Sequence, residues 1–183
     1  MPQTDLLNYN NYPYKPGGTV IKRILWHYIN AFVFKSSLFP FYGIKNLLLK
    51  LFGAKVGEQV EIKPGVNIKY PWLLTIGNEV WIGENVWIDN LITVVIGNNA
   101  CVSQGAVILT GSHNYKKSTF DLLTGGVILE DGVWIGACAI INCGITVASH
   151  SVLTTGSVAT KNLDSYSIYQ GNPAIKIRDR VVK

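Results

Sequence analysis

Three imidazoles are available to this chain for proton transfer near neutral pH: His27, His113 and His150. They sit in different company. His27 lies within the apolar stretch Ile24–Phe34, where a partly buried packing residue is expected. His150, in Ala148-Ser149-His150-Ser151, reads as a surface turn residue. His113 closes the run Thr110-Gly111-Ser112-His113, at the root of the longest irregular stretch of the sequence. A positioned general base is typically worth roughly 10²–10⁴ in rate, and it needs an orienting partner of its own. The residue directly after His113 is Asn114, not a carboxylate. Asp89 and Asn90 are the main candidates to approach His113 or a substrate hydroxyl, with Gln104 and Asp121 behind them. A zinc centre of the three-histidine kind would need all three rings to converge. Only two of them fall in the repeat described below, so no metal is expected. Cys101, Cys138 and Cys143 form no CxxC pair, and reduced thiols in a cytoplasmic protein are the simpler reading.

The elements that must position these residues show up as a repeat. Val56, Ile62, Ile68, Ile76, Ile82, Ile88, Ile96, Val102, Ile108, Leu129, Ile135, Ile141, Val147, Leu153 and Ala159 are spaced mostly six apart. Many are followed by glycine, as in Ile76-Gly77, Ile82-Gly83, Ile96-Gly97 and Ile135-Gly136. Four residues after most of them comes a second small or apolar residue, such as Val60, Val80, Ala100 or Ala139. Six residues do not fit a helical period. They suit a short flat strand and a tight turn, with the leading aliphatic inside and glycine or a small polar residue at the strained corner. Stacked coils bury what no single coil can bury alone, at about 1.5–3 kcal/mol for each fully buried aliphatic.

Three hexads make an 18-residue coil of triangular section. The coils then begin at Val56, Ile76, Ile96, Leu129 and Val147. The steps 68→76 and 88→96 each carry two extra residues, and 108→129 carries fifteen. All three insertions follow the third hexad, so all leave the prism at one corner. A loop of about residues 114–128 projects there, with His113 at its root, and Asp89 and Asn90 lie near the same corner one coil below. Long loops on rigid scaffolds are usually functional.

Ahead of the repeat, Ile21, Ile24, Leu25, Tyr28, Ile29 and Phe32 keep helical spacing, Pro40 interrupts, and Ile44, Leu47, Leu48 and Leu51 begin a second amphipathic helix that Gly53 stops. This arm carries seven basic residues (Lys15, Lys22, Arg23, Lys35, Lys45, Lys50, Lys55) against one acid, Asp5, whereas residues 56–183 hold nine basic and ten acidic ones. The net charge of +5 therefore belongs to the arm, which suggests an anionic partner such as a membrane surface. The apolar stretch is shorter than the roughly 20 residues that cross a bilayer, and no cleaved signal is read. With 48% hydrophobic and 15% charged residues the chain is not disordered. Three segments are expected: 1–55 as a basic helical arm, 56–164 as the repeat domain, and 165–183 as a tail opened by the turn at Asn172-Pro173.

The hexad register resembles the hexapeptide-repeat acyltransferases. Further motifs sharpen the likeness: Thr110-Gly111-Ser112-His113, Val133-Trp134-Ile135-Gly136-Ala137, Gly156-Ser157-Val158-Ala159-Thr160-Lys161 and Gly171-Asn172-Pro173-Ala174. In this order they resemble the maltose, galactoside and nodulation O-acetyltransferase branch. Leu51-Phe52-Gly53-Ala54-Lys55-Val56-Gly57 is similar to the colanic-acid-biosynthesis type. The resemblance implies an all-β fold: a left-handed parallel β-helix of about five triangular coils, with a helical N-terminal arm and a short C-terminal tail. It implies acetyl-CoA as co-substrate and O-acetylation of a sugar or lipid-linked saccharide, in exopolysaccharide or cell-surface glycan synthesis. His113 matches the family's catalytic histidine. Ala137 and Thr155 match backbone contacts to the pantetheine arm, Thr160 and Lys161 lie near adenine and phosphates, and Arg178 matches a tail arginine that meets phosphate. Oxyanion donors would be backbone N–H groups.

A flat prism face must be covered, so a homotrimer is expected, with the site between subunits as the family implies. Trp134 and Trp87 are expected to serve coil packing before a sugar site. The expected location is the cytoplasm, with peripheral contact at the inner face of the membrane through the arm. No nucleic-acid partner is expected. The rival readings are a non-catalytic structural or binding solenoid and a γ-type carbonic anhydrase.

Overall fold

In a computed structural model that describes residues 3–182, each hexad is a strand of two or three residues followed by a turn, and the strands stack in parallel into three flat faces. The first face holds Lys55–Val56, Leu74–Ile76, Val94–Ile96, Val127–Leu129 and Thr146–Val147. The second holds Glu61–Ile62, Trp81–Ile82, Cys101–Val102, Trp134–Ile135 and Val152–Leu153. The third holds Asn67–Ile68, Trp87–Asp89, Val107–Leu109, Ile140–Ile141 and Val158–Ala159. The solenoid is a left-handed β-helix with five complete coils. A partial sixth follows, in which Leu163 bridges Val147 and Ser167–Gly171 adds to the second face.

The leading aliphatics of the sequence are the interior. Ile76 pairs with Ile96, Ile82 with Val102, Ile88 with Ile108 and Ile141 with Ala159, so like sits on like from coil to coil. All are 2% exposed or less, save Val56 at the open end, which is partly buried. The second set, from Val60 to Ile145, fills the corners.

The strained corner is not at the glycines of the Ile-Gly pairs. The left-handed backbone falls three residues after the lead, at Gln59, Glu79, Asn85, Asn99 and Cys138, and at Gly65, Gly105, Gly132 and Gly156. The glycines of the Ile-Gly pairs serve close approach instead. A Cβ on Gly136 would lie 2.5 Å from the backbone nitrogen of Thr155 in the next coil. Coils spaced by backbone hydrogen bonds leave no room there for a side chain.

The arm closes the lower end of the prism, where the first coil would otherwise expose unpaired backbone. Helix α1 (Val20–Ile29) is capped by Thr19, whose Oγ1 accepts from the Lys22 N–H, and runs on into a π-helical turn, Asn30–Phe34. Trp26 donates from Nε1 to the Ile68 carbonyl at 2.8 Å and packs against Phe34 and Phe52. The Asn30 amide oxygen accepts from the Ile68 N–H. Helix α2 (Tyr42–Leu51) lies along the first two faces and sends Lys45 inward, where Nζ donates to the carbonyls of Ile62 and Lys63 at 3.4 and 2.9 Å. Asn46 donates to Val60 at 2.7 Å. Burial pushes the Lys45 ammonium below its usual range, and these carbonyls compensate part of that cost. Gly53, with φ +91, ends the helix as its sequence position implied.

The tail is a hairpin. Ala174–Asp179 folds back on Ser167–Gly171 around Asn172-Pro173 and extends the second face. Replacing Trp26 with Ala is expected to cost about 3–5 kcal/mol in urea unfolding, through the lost ring packing and an orphaned Ile68 carbonyl. Ile24→Ala, on the outer side of the same helix, is expected to stay within about 0.5 kcal/mol.

Candidate active site

The long insertion leaves the corner between the third and first faces. Its exit is fixed by Thr110, which is fully buried and donates from both its backbone N–H and its hydroxyl to the Asp89 carbonyl below. Gly111 follows, with Leu91 Cδ1 packed close to it. The insertion is not an open loop. Gly111–His113 pairs antiparallel with Leu122–Thr124, placing His113 opposite Leu122, and Val127 is already back in the first face.

The hairpin tip builds the histidine's surroundings. The Asn114 N–H donates to the Asp121 carbonyl at 2.8 Å. Asp121 accepts from Lys117 Nζ at 2.7 Å and from the Thr119 hydroxyl, and these bonds hold its carboxyl below the ordinary range, Lys117 first. Phe120 adopts left-handed backbone with φ +49. That turn aims its carbonyl at His113 Nδ1, 3.1 Å away, and lays its ring flat on the imidazole at 4.4 Å and 9°. A carbonyl oxygen can only accept, so Nδ1 carries a proton, and in the neutral ring Nε2 keeps its lone pair. Among the described residues Nε2 has no protein partner. This is the tautomer a general base needs.

A segment well before the repeat completes the site. The Asp5 N–H donates to the Ser118 carbonyl at 2.7 Å, and Asn10 accepts from the Leu122 N–H at 3.0 Å. Tyr9 then stands 5.8 Å from the His113 ring. Tyr14 donates its hydroxyl to the Leu91 carbonyl at 3.2 Å, and burial, followed by the neighbouring Tyr70, pushes its phenol above the usual range.

Asp89 and Asn90 do lie at this corner, one coil below, but neither hydrogen-bonds the His113 ring. Asp89 pairs with Lys69 at 2.9 Å. Asn90 is fully buried: its amide oxygen accepts from the N–H groups of Lys69 and Tyr70, and its amide donates to the Tyr70 carbonyl. Asp121, as noted, is committed to Lys117 and Thr119, and Gln104 lies on the corner between the second and third faces. The orienting bond comes from the Phe120 carbonyl. Beside Asp89, between α1 and the third face, opens a cleft of about 440 Å³ lined by Arg23, His27, Lys69 and Trp87 among others.

The residues matched to coenzyme contacts fall in separate places. Thr160 and Lys161 are exposed on the corner that carries His113, two coils higher. Ala137 and Thr155 stack on the next corner, between the second and third faces, where the Gly156 N–H donates to the Ala137 carbonyl at 2.8 Å. That corner is poor in side chains, and a Cβ on Gly156 would meet nothing within 4 Å. A bare strip of this kind fits a thin extended chain. Arg178 is exposed on the tail hairpin opposite Ile168. One whole face separates Ala137 and Thr155 from His113 within a single chain.

Other expectations need adjustment. His27 is exposed and lines the cleft rather than being partly buried. His150 does occupy a turn, with φ +60, stacked on Tyr166 at 4.7 Å and with Arg180 donating to its carbonyl. The three imidazoles thus occupy three different parts of the molecule. Trp87 and Trp134 point outward, 42% and 47% exposed, so they take no part in the coil interior. Trp134 donates from Nε1 to the Ser103 hydroxyl at 3.0 Å. Sequence reasoning missed Tyr9, Tyr14 and Phe120, since no local pattern links them to His113.

Comparisons with known proteins bear on the fold and the family. No family model matches the chain. It is 34% identical over 165 residues to a putative colanic acid biosynthesis acetyltransferase, WcaF, of Escherichia coli (strain K12), covering 90% of this chain and 91% of that protein. A hexapeptide-repeat acetyltransferase of Vibrio cholerae, solved with acetyl coenzyme A, superimposes with a TM-score of 0.79 at 20% identity, over 88% of each chain. A galactoside acetyltransferase solved with coenzyme A gives 0.74 at 25% identity, over 87% of this chain and 80% of the other.

Nitrogen NMR of labelled imidazoles is expected to show His113 as the neutral Nδ1-protonated tautomer, and Phe120→Ala is expected to admit the other tautomer. A native ring protonated at Nε2 would contradict the Phe120 geometry.

Proposed function

The chain belongs to the hexapeptide-repeat acetyltransferases, and from that premise we propose that it transfers an acetyl group from acetyl-CoA to a saccharide hydroxyl, with His113 as general base. The observation that carries the proposal is the imidazole at the prism edge, held through Nδ1 by the Phe120 carbonyl with Nε2 free to accept a proton.

The chemistry is direct transfer. Nε2 of His113 takes the proton of the acceptor hydroxyl as its oxygen attacks the thioester carbonyl carbon. The new C–O bond forms a tetrahedral oxyanion, which backbone N–H groups at the edge would stabilise. Collapse breaks the C–S bond, and the departing thiolate recovers the proton from the imidazolium. The charge on the ring is transient. A backbone carbonyl at Nδ1 supports it through its dipole, where a carboxylate would have used a full charge.

The bare strip of Ala137, Thr155 and Gly156 suits the pantetheine arm. Thr160, Lys161 and Arg178 supply a hydroxyl and two cations for adenine and phosphates. Because that strip lies a full face from His113, a coenzyme reaching both needs the corner of one copy set against the corner of another. A threefold homotrimer meets this requirement. It also covers the outward tryptophans Trp81 and Trp134 that flank Cys101 on the second face. The acceptor is placed in the cleft beside Asp89, with Trp87 as a platform for a sugar ring. The Asp89 carbonyl binds Thr110, so the cleft and the base are held by one backbone link.

His113→Ala is expected to lower kcat by about a hundredfold or more while sparing the fold and coenzyme affinity. Near-native turnover by the purified variant would remove the assigned role. Asp121→Asn is expected to stay within about threefold of native, because the orienting group is a carbonyl. The intersubunit site is tested by complementation. His113→Ala and Thr155→Trp chains, each inactive alone, are expected to regain activity when unfolded and refolded together. No recovery in mixed trimers would place the whole site in one chain.

A further inference from the structure

Helix α1 is apolar on two sides. The side packed on the prism carries Trp26, Asn30 and Phe34, while Ile21, Ile24, Leu25, Tyr28 and Phe32 face outward. At 100° per residue these five fall within about 120° of one another, on a single stripe. They are between 52% and 72% exposed. Tyr28 and Phe32 stack on each other along it at 6.4 Å. Helix α2 does the same: Leu49 and Lys45 are buried against the prism, while Ile44, Leu47 and Leu51 point out. Leu38 and Phe41, in the connection between the helices, are 89% and 61% exposed. A soluble surface does not keep so much contiguous apolar area without a partner.

We propose that this outer face of the arm docks on an anionic lipid bilayer, with α1 lying in the interfacial plane. Charge selects this occupant. The arm carries seven basic residues and one acid, and Lys15, Lys35 and Lys55 are exposed with no acidic partner within 4 Å among the described residues. A second copy fits less well. Arm against arm would bring two such basic segments together, and residues 56–183, with nine basic and ten acidic residues, are close to neutral overall. An anionic headgroup layer neutralises the cations while the acyl boundary receives the aliphatics. Crossing is not involved, since α1 has ten residues, about 15 Å of helix, against a hydrocarbon core of roughly 30 Å. The surface stands independently of the acetyl-transfer reading. It would hold the lower end of the prism, and the cleft walled by α1, at the membrane.

The test is flotation of the full chain with vesicles of phosphatidylcholine alone or mixed evenly with phosphatidylglycerol. The chain is expected to float with the anionic vesicles, to be released by salt, and to stay down with phosphatidylcholine. Two outward double variants, Ile24→Ser with Leu25→Ser, and Tyr28→Ser with Phe32→Ser, are expected to keep native circular dichroism and native mass. Each is expected to lose bilayer affinity by roughly tenfold or more. Failure of the native chain to float with anionic vesicles at low salt overturns the proposal. So does undiminished flotation of both variants, and so does a fall in oligomeric mass in both variants, which would make the stripe a protein interface.

Discussion

The whole molecule depends on one repeated contact: a backbone N–H of each strand reaching the carbonyl of the coil beside it, with an aliphatic side chain resting on its counterpart one coil away. The hydrogen bonds fix the coil spacing, and the spacing fixes what can stand at each corner. Where two backbones nearly touch, as at Gly136 under Thr155, only glycine fits. Where the chain must turn, a residue with left-handed backbone stands three places after the buried lead. Neither the faces nor the tight corners tolerate an insertion, because one added residue would throw the inward set out of register. The corner between the third and first faces escapes this rule, and each extra segment of the prism leaves from it.

The site is built on that exception. Thr110 ties the hairpin to the Asp89 carbonyl of the coil below, so a rigid stack positions a projecting element. The turn at Phe120 then does two jobs with one residue. Its carbonyl sets the imidazole tautomer, and its ring restricts imidazole rotation. A carboxylate partner is the arrangement that chemical analogy suggests first. Here the acids nearby are spent on structure, Asp121 in the hairpin tip and Asp89 with Lys69. The hairpin supplies a carbonyl at Nδ1 and an aromatic ring against the imidazole face instead.

A solenoid also has ends, and its open backbone must be met by something. The tail hairpin continues the second face at the upper end. The arm meets the lower end with Trp26, Asn30, Lys45 and Asn46, whose polar groups bond backbone groups of the first coil. Capping calls for hydrogen-bonding and aromatic side chains on the inner surface of the helices. Trp26, Asn30, Lys45 and Asn46 take that surface beside Leu49, and Ile21, Ile24, Leu25 and Ile44 fall on the opposite side.

The sequence alone determined the coils, their five starting points and the corner of insertion. A period of six is local, and each hexad repeats the same burial at the same phase. It also pointed to His113 as the one imidazole at the root of the break. Tertiary structure decided which group orients that ring, because Phe120 reaches Nδ1 only after the hairpin closes, and Tyr9 arrives from more than a hundred residues earlier in the chain. It decided which side of α1 is buried, since periodicity marks an apolar stripe without saying whether that stripe or its opposite meets the prism. And it decided that Ala137 and Thr155 stand a face away from His113, a separation set by where the coils bend in space and invisible in the spacing of residues along the chain.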